Sequence, residues 1–188
     1  MKEKMNISEQ KIINAIIYFV KNTKDCKKTK LFKLLYYLDF IHFKRFGLSV
    51  TGYDYITMPY GPVPSKLLAQ FEKNEFPEEF KKNFSVEKVT DEDDNYSFQI
   101  ILKNKKPDLE WFTPNELSVL EEVAFMCKES PAKDLVDATH FRNTPWDKTV
   151  KTKGMGKHID YFLALDEEST LTKEEIEERF KLQKQLGG

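Results

Sequence analysis

The 188-residue sequence is poor in cysteine and histidine, the side chains that most often carry metal or nucleophilic chemistry. Its two cysteines, Cys26 and Cys127, lie far apart without a CxxC spacing, which favours a reduced, cytoplasmic compartment over a secreted disulfide scaffold. The three histidines show no ligand spacing, and no cysteine lies near enough along the chain to complete a zinc site. We therefore expect no metal and no cofactor.

Glycine is also scarce, and long apolar runs are missing. The glycine-rich segment GMGK at residues 154–157 lacks the GxxxxGKS/T spacing of a phosphate-binding loop and follows no strand pattern, so it is typical of a flexible loop between helices. A membrane-spanning helix needs about 18 consecutive apolar residues, and no apolar run in the sequence comes near that length. The first ten residues show no signal-like apolar segment. We expect no nucleotide site and no membrane contact.

The sequence contains thirty basic and thirty-one acidic residues, so neither sign of charge dominates and the net charge is −1. This balance gives no general attraction to nucleic acid or to an anionic membrane. Lysines cluster at residues 21–33 and 148–157, but the three arginines lie outside both clusters, and interfaces that read bases favour arginine. We therefore expect the lysine clusters to be solvated surface and do not expect nucleic acid as the partner.

The most informative segment that is present runs from Lys30 to Phe46. Its apolar and aromatic positions are too many for one stripe of a helix, which predicts a helix surrounded by protein on nearly all sides. Gly47 is expected to end it, and Leu35 and Leu38 are expected to be deeply buried. The apolar or aromatic positions are Leu31, Phe32, Leu34, Leu35, Tyr36, Tyr37, Leu38, Phe40, Ile41, Phe43 and Phe46.

A rigid corner follows at Pro59, Tyr60, Gly61 and Pro62, directly after the stretch YDYITM at residues 53–58. Prolines fix φ and lack a backbone donor, so this segment cannot extend a helix or a central strand. Two interpretations stay open. Gly61 supplies a backbone angle that a tight turn requires, or Tyr60, together with Trp146, is an exposed aromatic anchor in a partner interface.

The remaining pattern is mainly helical with one alternating stretch. Residues 86–102 alternate as a hairpin does, around a polar turn at residues 91–95. Expected helix starts are Asn6 or Ser8, Thr29, Ser65, the capping boxes Thr113/Glu116 and Thr172/Glu175, and Ser130 for a helix through about Phe141. This predicts an α+β fold, with a mainly helical body around a central apolar helix and a small antiparallel β-hairpin or three-stranded sheet.

Two constellations could carry chemistry, and both have a simpler interpretation. Asp39 and His42 share a helical face as an acid–base pair would, but a hydrogen-bonded polar couple at the core explains them better. Cys127, His140 and Asp137 can be arranged as a triad on paper. Cys127 lies on the apolar face of its helix, which favours inert packing over an activated thiolate. We therefore do not expect an enzyme.

The order of these segments resembles the SocA-like antitoxins, whose shared module is the Panacea domain. The resemblance covers about residues 8–165, so we expect residues 1–165 to form this domain and residues 166–188 an acidic helical tail on or beyond it. The matching positions are residues 30–37, Asp39, Gly47, Thr51, Gly52, residues 60–63, Leu135, Thr139, His140, Pro145, Trp146 and residues 159–162.

The resemblance implies a non-enzymatic protein that binds and neutralises a cognate toxin, often encoded by an adjacent gene or within a prophage. Some members of the family are thought to deliver the toxin to a protease, directly or as an adaptor. We expect the partner-binding residues to be Tyr60, Gly61, Pro62, His140 and Trp146. The alternative is a DNA-binding regulator of its own operon or a prophage-encoded regulatory protein, because the short helices between Thr113 and Phe141 could form a helix-turn-helix-like pair.

Overall fold

The computed structural model describes residues 6–90, 96–104 and 106–186. Two short 3-10 turns, at Leu109–Trp111 and Tyr161–Ala164, complete the secondary structure of these ranges. The strands are β1 Tyr55–Met58, β2 Gly61–Pro64, β3 Phe84–Thr90 and β4 Tyr96–Leu102. The helices are α1 Ile7–Asn22, α2 Lys28–Phe46, α3 Ser65–Lys73, α4 Glu78–Asn83, α5 Pro114–Met126, α6 Ala132–Thr139, α7 Pro145–Lys153 and α8 Lys173–Leu186.

Helix α2 lies at the centre, in contact with α1, α5, α6, β2, β4 and the second 3-10 turn. Leu35 and Leu38 are completely buried, which confirms the sequence prediction. The helix ends at Gly47 in the left-handed conformation, as predicted. The predicted start at Thr29 is wrong, because the helix begins at Lys28 and Lys27 precedes it without a side-chain cap.

The strands form two separate antiparallel hairpins, β1–β2 and β3–β4. The second hairpin confirms the alternating pattern of residues 86–102, while the polar turn predicted at residues 91–95 lies outside the described residues. The first hairpin was not predicted. Its strand β2 contains two prolines and is buried at all four positions, so it shows no alternation of period two. The α+β fold around a central apolar helix is confirmed.

Local side-chain caps explain where several helices begin. Asn6 accepts a hydrogen bond from the backbone of Ser8, and both predicted capping boxes form, at Thr113 with Glu116 and at Thr172 with Glu175.

Other helix ends differ from the prediction. Helix α6 starts after Pro131 without a side-chain cap from Ser130 and ends at Thr139, before Phe141. Helix α7 was not predicted, although Thr144 caps it with Pro145 in the first turn.

The C-terminal segment packs back onto the central helix. Ile176 of α8 is buried against Gly47, where an added Cβ would approach the Ile176 Cγ1 atom to 2.9 Å. Lys44 forms ion pairs with Asp166 and Glu168 at 2.8 and 3.2 Å. The domain boundary at residue 165 stays a prediction. Within the described ranges, no helix is long and apolar enough to cross a membrane.

Candidate partner-binding surface

The residues predicted to bind a partner lie around the end of the β1–β2 hairpin. The Trp146 indole Nε1 atom donates to the Met58 carbonyl oxygen at 3.2 Å, which attaches α7 to the last residue of β1. The His140 ring stacks on the Trp146 ring, with centroids 4.0 Å apart. Tyr60 and Gly61 form the turn that follows Met58. The fold therefore brings together side chains that are more than eighty positions apart in the sequence.

The hairpin turn carries an exposed aromatic side chain. Tyr60 is 75% exposed, while the following residues Gly61 and Pro62 are buried. Met58 pairs with Gly61, so Pro59 and Tyr60 form a two-residue loop. Gly61 has φ of +87°, in the left-handed region that favours glycine. Gly61 therefore supplies the turn angle, as the first sequence interpretation requires, and Tyr60 is exposed to solvent, as the second requires of this residue.

A buried lysine donates a hydrogen bond to the backbone next to the turn. Lys33 of α2 is 1% exposed, and its Nζ atom donates to the Pro62 carbonyl oxygen at 2.8 Å. A Cβ added to Gly61 would approach Lys33 Nζ to 3.1 Å and would overlap the hydroxyl oxygen of Thr139. Glycine is thus required twice at this position, by its backbone angle and by the close approach of α2 and α6. The base of the turn is therefore in direct contact with α2 and α6.

Trp146 and His140 are packing residues at the base of this hairpin. Trp146 is 8% exposed, so the expectation of an exposed tryptophan anchor is wrong. The reason is tertiary: the Trp146 ring lies between the His140 ring and the hairpin backbone. Burial lowers the pKa of His140, and the nearby Lys33 charge acts in the same direction. His140 is therefore neutral at physiological pH and stacks as a planar ring.

The loop at residues 154–158 is paired with the free edge of β1, which corrects the prediction of a flexible loop. The Thr57 amide donates to the Lys157 carbonyl at 2.9 Å, and the Gly156 amide donates to the Thr57 carbonyl at 2.7 Å. The Thr57 hydroxyl also donates to the Gly154 carbonyl at 2.9 Å. These bonds hold Met155 beside the hairpin, in the middle of the paired loop.

Three large apolar side chains are exposed around this end of the molecule. Tyr60 is 75% exposed, Phe141 66% and Met155 48%. Tyr60 lies in the hairpin turn, Phe141 follows the stacked His140, and Met155 lies in the loop paired with Thr57. We call these three residues the hairpin-tip surface. Sequence reasoning missed Phe141 and Met155, because each is a single apolar residue without an apolar neighbour in sequence, and only the tertiary structure shows the segments of both packed against the hairpin.

Asp39 has a structural role away from this surface, and its predicted pairing with His42 is wrong. Asp39 is completely buried and accepts hydrogen bonds from the Val50 and Thr51 amides, at 2.8 and 2.7 Å, and from the hydroxyls of Thr51 and Tyr55. Burial raises the pKa of Asp39, while these four donors favour its charged form. His42 Nδ1 instead donates to the Leu48 carbonyl at 2.6 Å.

The cysteines lack the environment of a nucleophile. Burial raises the pKa of Cys26 to about 11 and also raises the pKa of Cys127, so both side chains are protonated thiols at neutral pH. In the part of the chain that the structure describes, no hydrogen bond joins Cys127 to His140. The same ranges contain no cluster of histidine, cysteine, aspartate and glutamate that could hold a metal ion.

The buried Lys33 predicts an unusual pH dependence of stability. Burial lowers the pKa of Lys33 to about 7, whereas an unfolded lysine has a pKa of about 10.4. Between these two pKa values Lys33 is protonated in the unfolded state and neutral in the folded state. The unfolded state therefore binds one more proton, and the free energy of unfolding should rise with pH. We expect a rise of about 1 kcal/mol per pH unit between about pH 7 and 8.5, measured by urea denaturation.

The matched control for this prediction is Lys33→Met, which keeps a long side chain without the titrating group. Its free energy of unfolding should be nearly flat over the same pH range. The range stops at about pH 8.5, because an unfolded cysteine ionises there and the raised pKa of Cys26 then acts in the opposite direction. An equal slope in wild type and Lys33→Met would show that another group is responsible.

These features define an α+β protein in which the central helix and two short helices hold a rigid β-hairpin with an exposed aromatic tip. The sequence model described as "Antitoxin SocA-like, Panacea domain" matches residues 31–147, more than half of the chain. The chain therefore belongs to the SocA-like antitoxin family. The matched region begins in α2 and ends in α7, a shorter span than the predicted 8–165, and it includes all five predicted site residues.

Two further comparisons add no relative to this assignment. No curated protein and no solved structure matches the chain.

Proposed function

We propose that this protein is a cytoplasmic antitoxin that neutralises a cognate protein toxin by binding it directly through the hairpin-tip surface. Membership of the SocA-like antitoxin family carries the proposal, because antitoxins of this kind act on a toxin partner. The geometry of the β1–β2 hairpin supports this surface as the place of toxin contact. Tyr60 is the most exposed of the three tip residues and stands on a turn that Lys33 and Thr139 hold in place.

The hairpin tip suits protein binding for two physical reasons. Aromatic residues and methionine are enriched in the cores of protein–protein interfaces, and the three exposed side chains are a tyrosine, a phenylalanine and a methionine. A rigid base also lowers the entropy that is lost on binding, because the backbone under Tyr60 is already ordered. A few anchors of this kind carry most of the binding energy in a typical interface.

We further propose that neutralisation requires no catalysis by this chain. Protonated, buried cysteines and a neutral His140 stacked on Trp146 support this view. Binding alone can block a toxin, or the complex can present the toxin to a protease as an adaptor does. Co-expression with the protein encoded by the adjacent gene tests the proposal directly. The neighbour should be toxic alone, harmless with this protein, and should co-purify with it.

The variant Tyr60→Ala should separate binding from folding. We expect the dissociation constant for the toxin to rise at least about 30-fold, which corresponds to the roughly 2 kcal/mol of an interface hot spot. The melting temperature of the free protein should stay close to that of wild type, since the Tyr60 ring is 75% exposed. Isothermal titration calorimetry and circular dichroism on the same samples measure both quantities.

Two control variants make this result interpretable. Tyr96→Ala makes the same chemical change on the other hairpin, where the ring is 60% exposed, and should leave toxin affinity unchanged. Trp146→Ala removes a buried ring and should lower the stability of the free protein by roughly 3–5 kcal/mol. Equal affinities for Tyr60→Ala and Tyr96→Ala would place the toxin elsewhere on the protein.

A further inference from the structure

The chain that surrounds the hairpin tip is strongly basic, although the whole protein is nearly neutral. Residues 142–157 contain five basic side chains, namely Arg142, Lys148, Lys151, Lys153 and Lys157, and one acidic side chain, Asp147. The difference of five and one gives this segment a charge of +4 within a chain of net charge −1. The remaining residues therefore carry −5. The charge asymmetry lies on the segment that contains Met155 and directly follows Phe141.

Two of these lysines are exposed and therefore accessible to a partner. Lys153 is the last residue of α7, and Lys157 lies in the loop paired with β1, and both are exposed. Among the residues that the structure describes, neither lysine forms an ion pair. Lys151 is held differently, because its ammonium group pairs with Asp147 at 2.7 Å. Lys153 and Lys157 thus flank the exposed Met155 with charges that no described carboxylate neutralises.

Hydrogen bonds hold the backbone of Lys157 beside the strand that leads to Tyr60. The Lys157 amide donates to the Thr57 hydroxyl at 3.0 Å, and its carbonyl accepts from the Thr57 amide at 2.9 Å. Thr57 precedes Met58, the residue at the start of the turn that carries Tyr60. A partner that contacts Tyr60 and Met155 therefore lies near the exposed Lys157. Such an arrangement of apolar centre and charged rim is that of a protein interface.

We propose that the hairpin-tip surface binds an acidic patch of the partner protein, with Lys153 and Lys157 contacting carboxylates around an apolar contact made by Tyr60, Phe141 and Met155. The inference rests on the proposed function and names the surface chemistry of the toxin. Complementary charges at the rim of an interface act mainly on the rate of association and on partner choice. Nucleic acid fits less well, because three exposed apolar side chains would face the sugar–phosphate backbone.

The test is a charge reversal, Lys153→Glu with Lys157→Glu, measured by surface plasmon resonance against the protein encoded by the adjacent gene. We expect the association rate constant to fall by about tenfold or more in low salt. The difference from wild type should shrink as sodium chloride is raised to about 0.5 M, because salt screens exposed charges beyond the Debye length. The neutral pair Lys153→Gln with Lys157→Gln should give an intermediate rate.

The matched control is Lys181→Glu with Lys184→Glu, which changes the net charge by the same amount on exposed positions of α8. Its association rate should stay within about twofold of wild type, since steering depends on where the charge lies. Equal rates for the two reversed proteins would overturn the acidic-patch proposal while leaving direct toxin binding intact. Faster association of the Lys153 and Lys157 reversal would identify a basic partner and overturn it as well.

Failure of the proposed function itself has a different signature. If the wild-type protein does not bind the neighbouring gene product at any salt concentration, both proposals fail together. A duplex DNA of the operon's promoter serves as a second probe. DNA binding by wild type that is lost in the Lys153 and Lys157 reversal would assign the basic segment to phosphate contacts and overturn the acidic-patch proposal.

Discussion

Asp39→Ala is expected to lower the free energy of unfolding by about 3–5 kcal/mol, because it leaves buried donors without an acceptor. Asp39 is completely buried and accepts from two backbone amides, at Val50 and Thr51, and from two hydroxyls, at Thr51 and Tyr55. A typical domain has about 5–15 kcal/mol in total, so this loss should also lower the amount of folded protein in the cell. Urea denaturation followed by circular dichroism measures the change.

Asp39→Asn is the control that separates the hydrogen bonds from the packing. Its amide oxygen can still accept from the Val50 and Thr51 amides, and its NH₂ group can donate to the hydroxyl oxygens of Thr51 and Tyr55. We expect it to retain most of the stability that Asp39→Ala loses. Equal denaturation midpoints for Asp39→Ala and Asp39→Asn would show that the four donors contribute little, and that the carboxylate matters for another reason.

Gly61→Ala is expected to destabilise the protein by about 2–5 kcal/mol and to abolish the geometry of the hairpin tip. The left-handed backbone, with φ of +87°, costs an alanine about 1–2 kcal/mol. The new methyl group would also overlap the Thr139 hydroxyl and press on Lys33, and overpacking of this kind costs about 1–3 kcal/mol. Toxin affinity should fall together with the melting temperature, since Tyr60 is the adjacent residue.

A second glycine supplies the control for backbone strain alone. Gly52 has φ of +71°, and an added Cβ there would meet no atom within 4 Å. Gly52→Ala should therefore cost only the conformational part, about 1–2 kcal/mol. Thr139→Ala should partly rescue Gly61→Ala, because it removes the atom that the new methyl group overlaps. Equal costs at both glycines, without rescue, would contradict the tight contact between the hairpin and α6.

The geometry of the hairpin turn could be predicted from sequence, whereas the surroundings of His140 and Trp146 could not, and the partner-binding role of these residues stays a prediction. Tyr60 is exposed in the turn and Gly61 supplies the turn angle, because a proline, an aromatic residue and a glycine in sequence constrain the backbone locally. The roles of His140 and Trp146 depend on a hairpin that is distant in the sequence, and no local pattern reveals that Trp146 packs beneath it, 88 positions from Met58. Phe141 and Met155 were missed for the same reason.

The sequence by itself determined the features whose physics is local or periodic. The central helix follows from apolar residues on all its faces, β3 and β4 from alternation, and the capping boxes at Thr113 and Thr172 from side chains that reach three residues along the chain. Each of these needs only neighbours in the sequence. The family resemblance, which depends on the order of such local segments, was likewise readable.

Only the tertiary structure decided which distant groups meet. The hairpin β1–β2 was hidden because its second strand contains two prolines and is buried at every position, so neither composition nor alternation indicates a strand. Asp39 binds the loop at Val50 and Thr51 rather than His42, which lies one turn further along its own helix. Buried polar groups need hydrogen-bond partners, and the sequence shows only that requirement. The fold determines which donors and acceptors lie within hydrogen-bond distance.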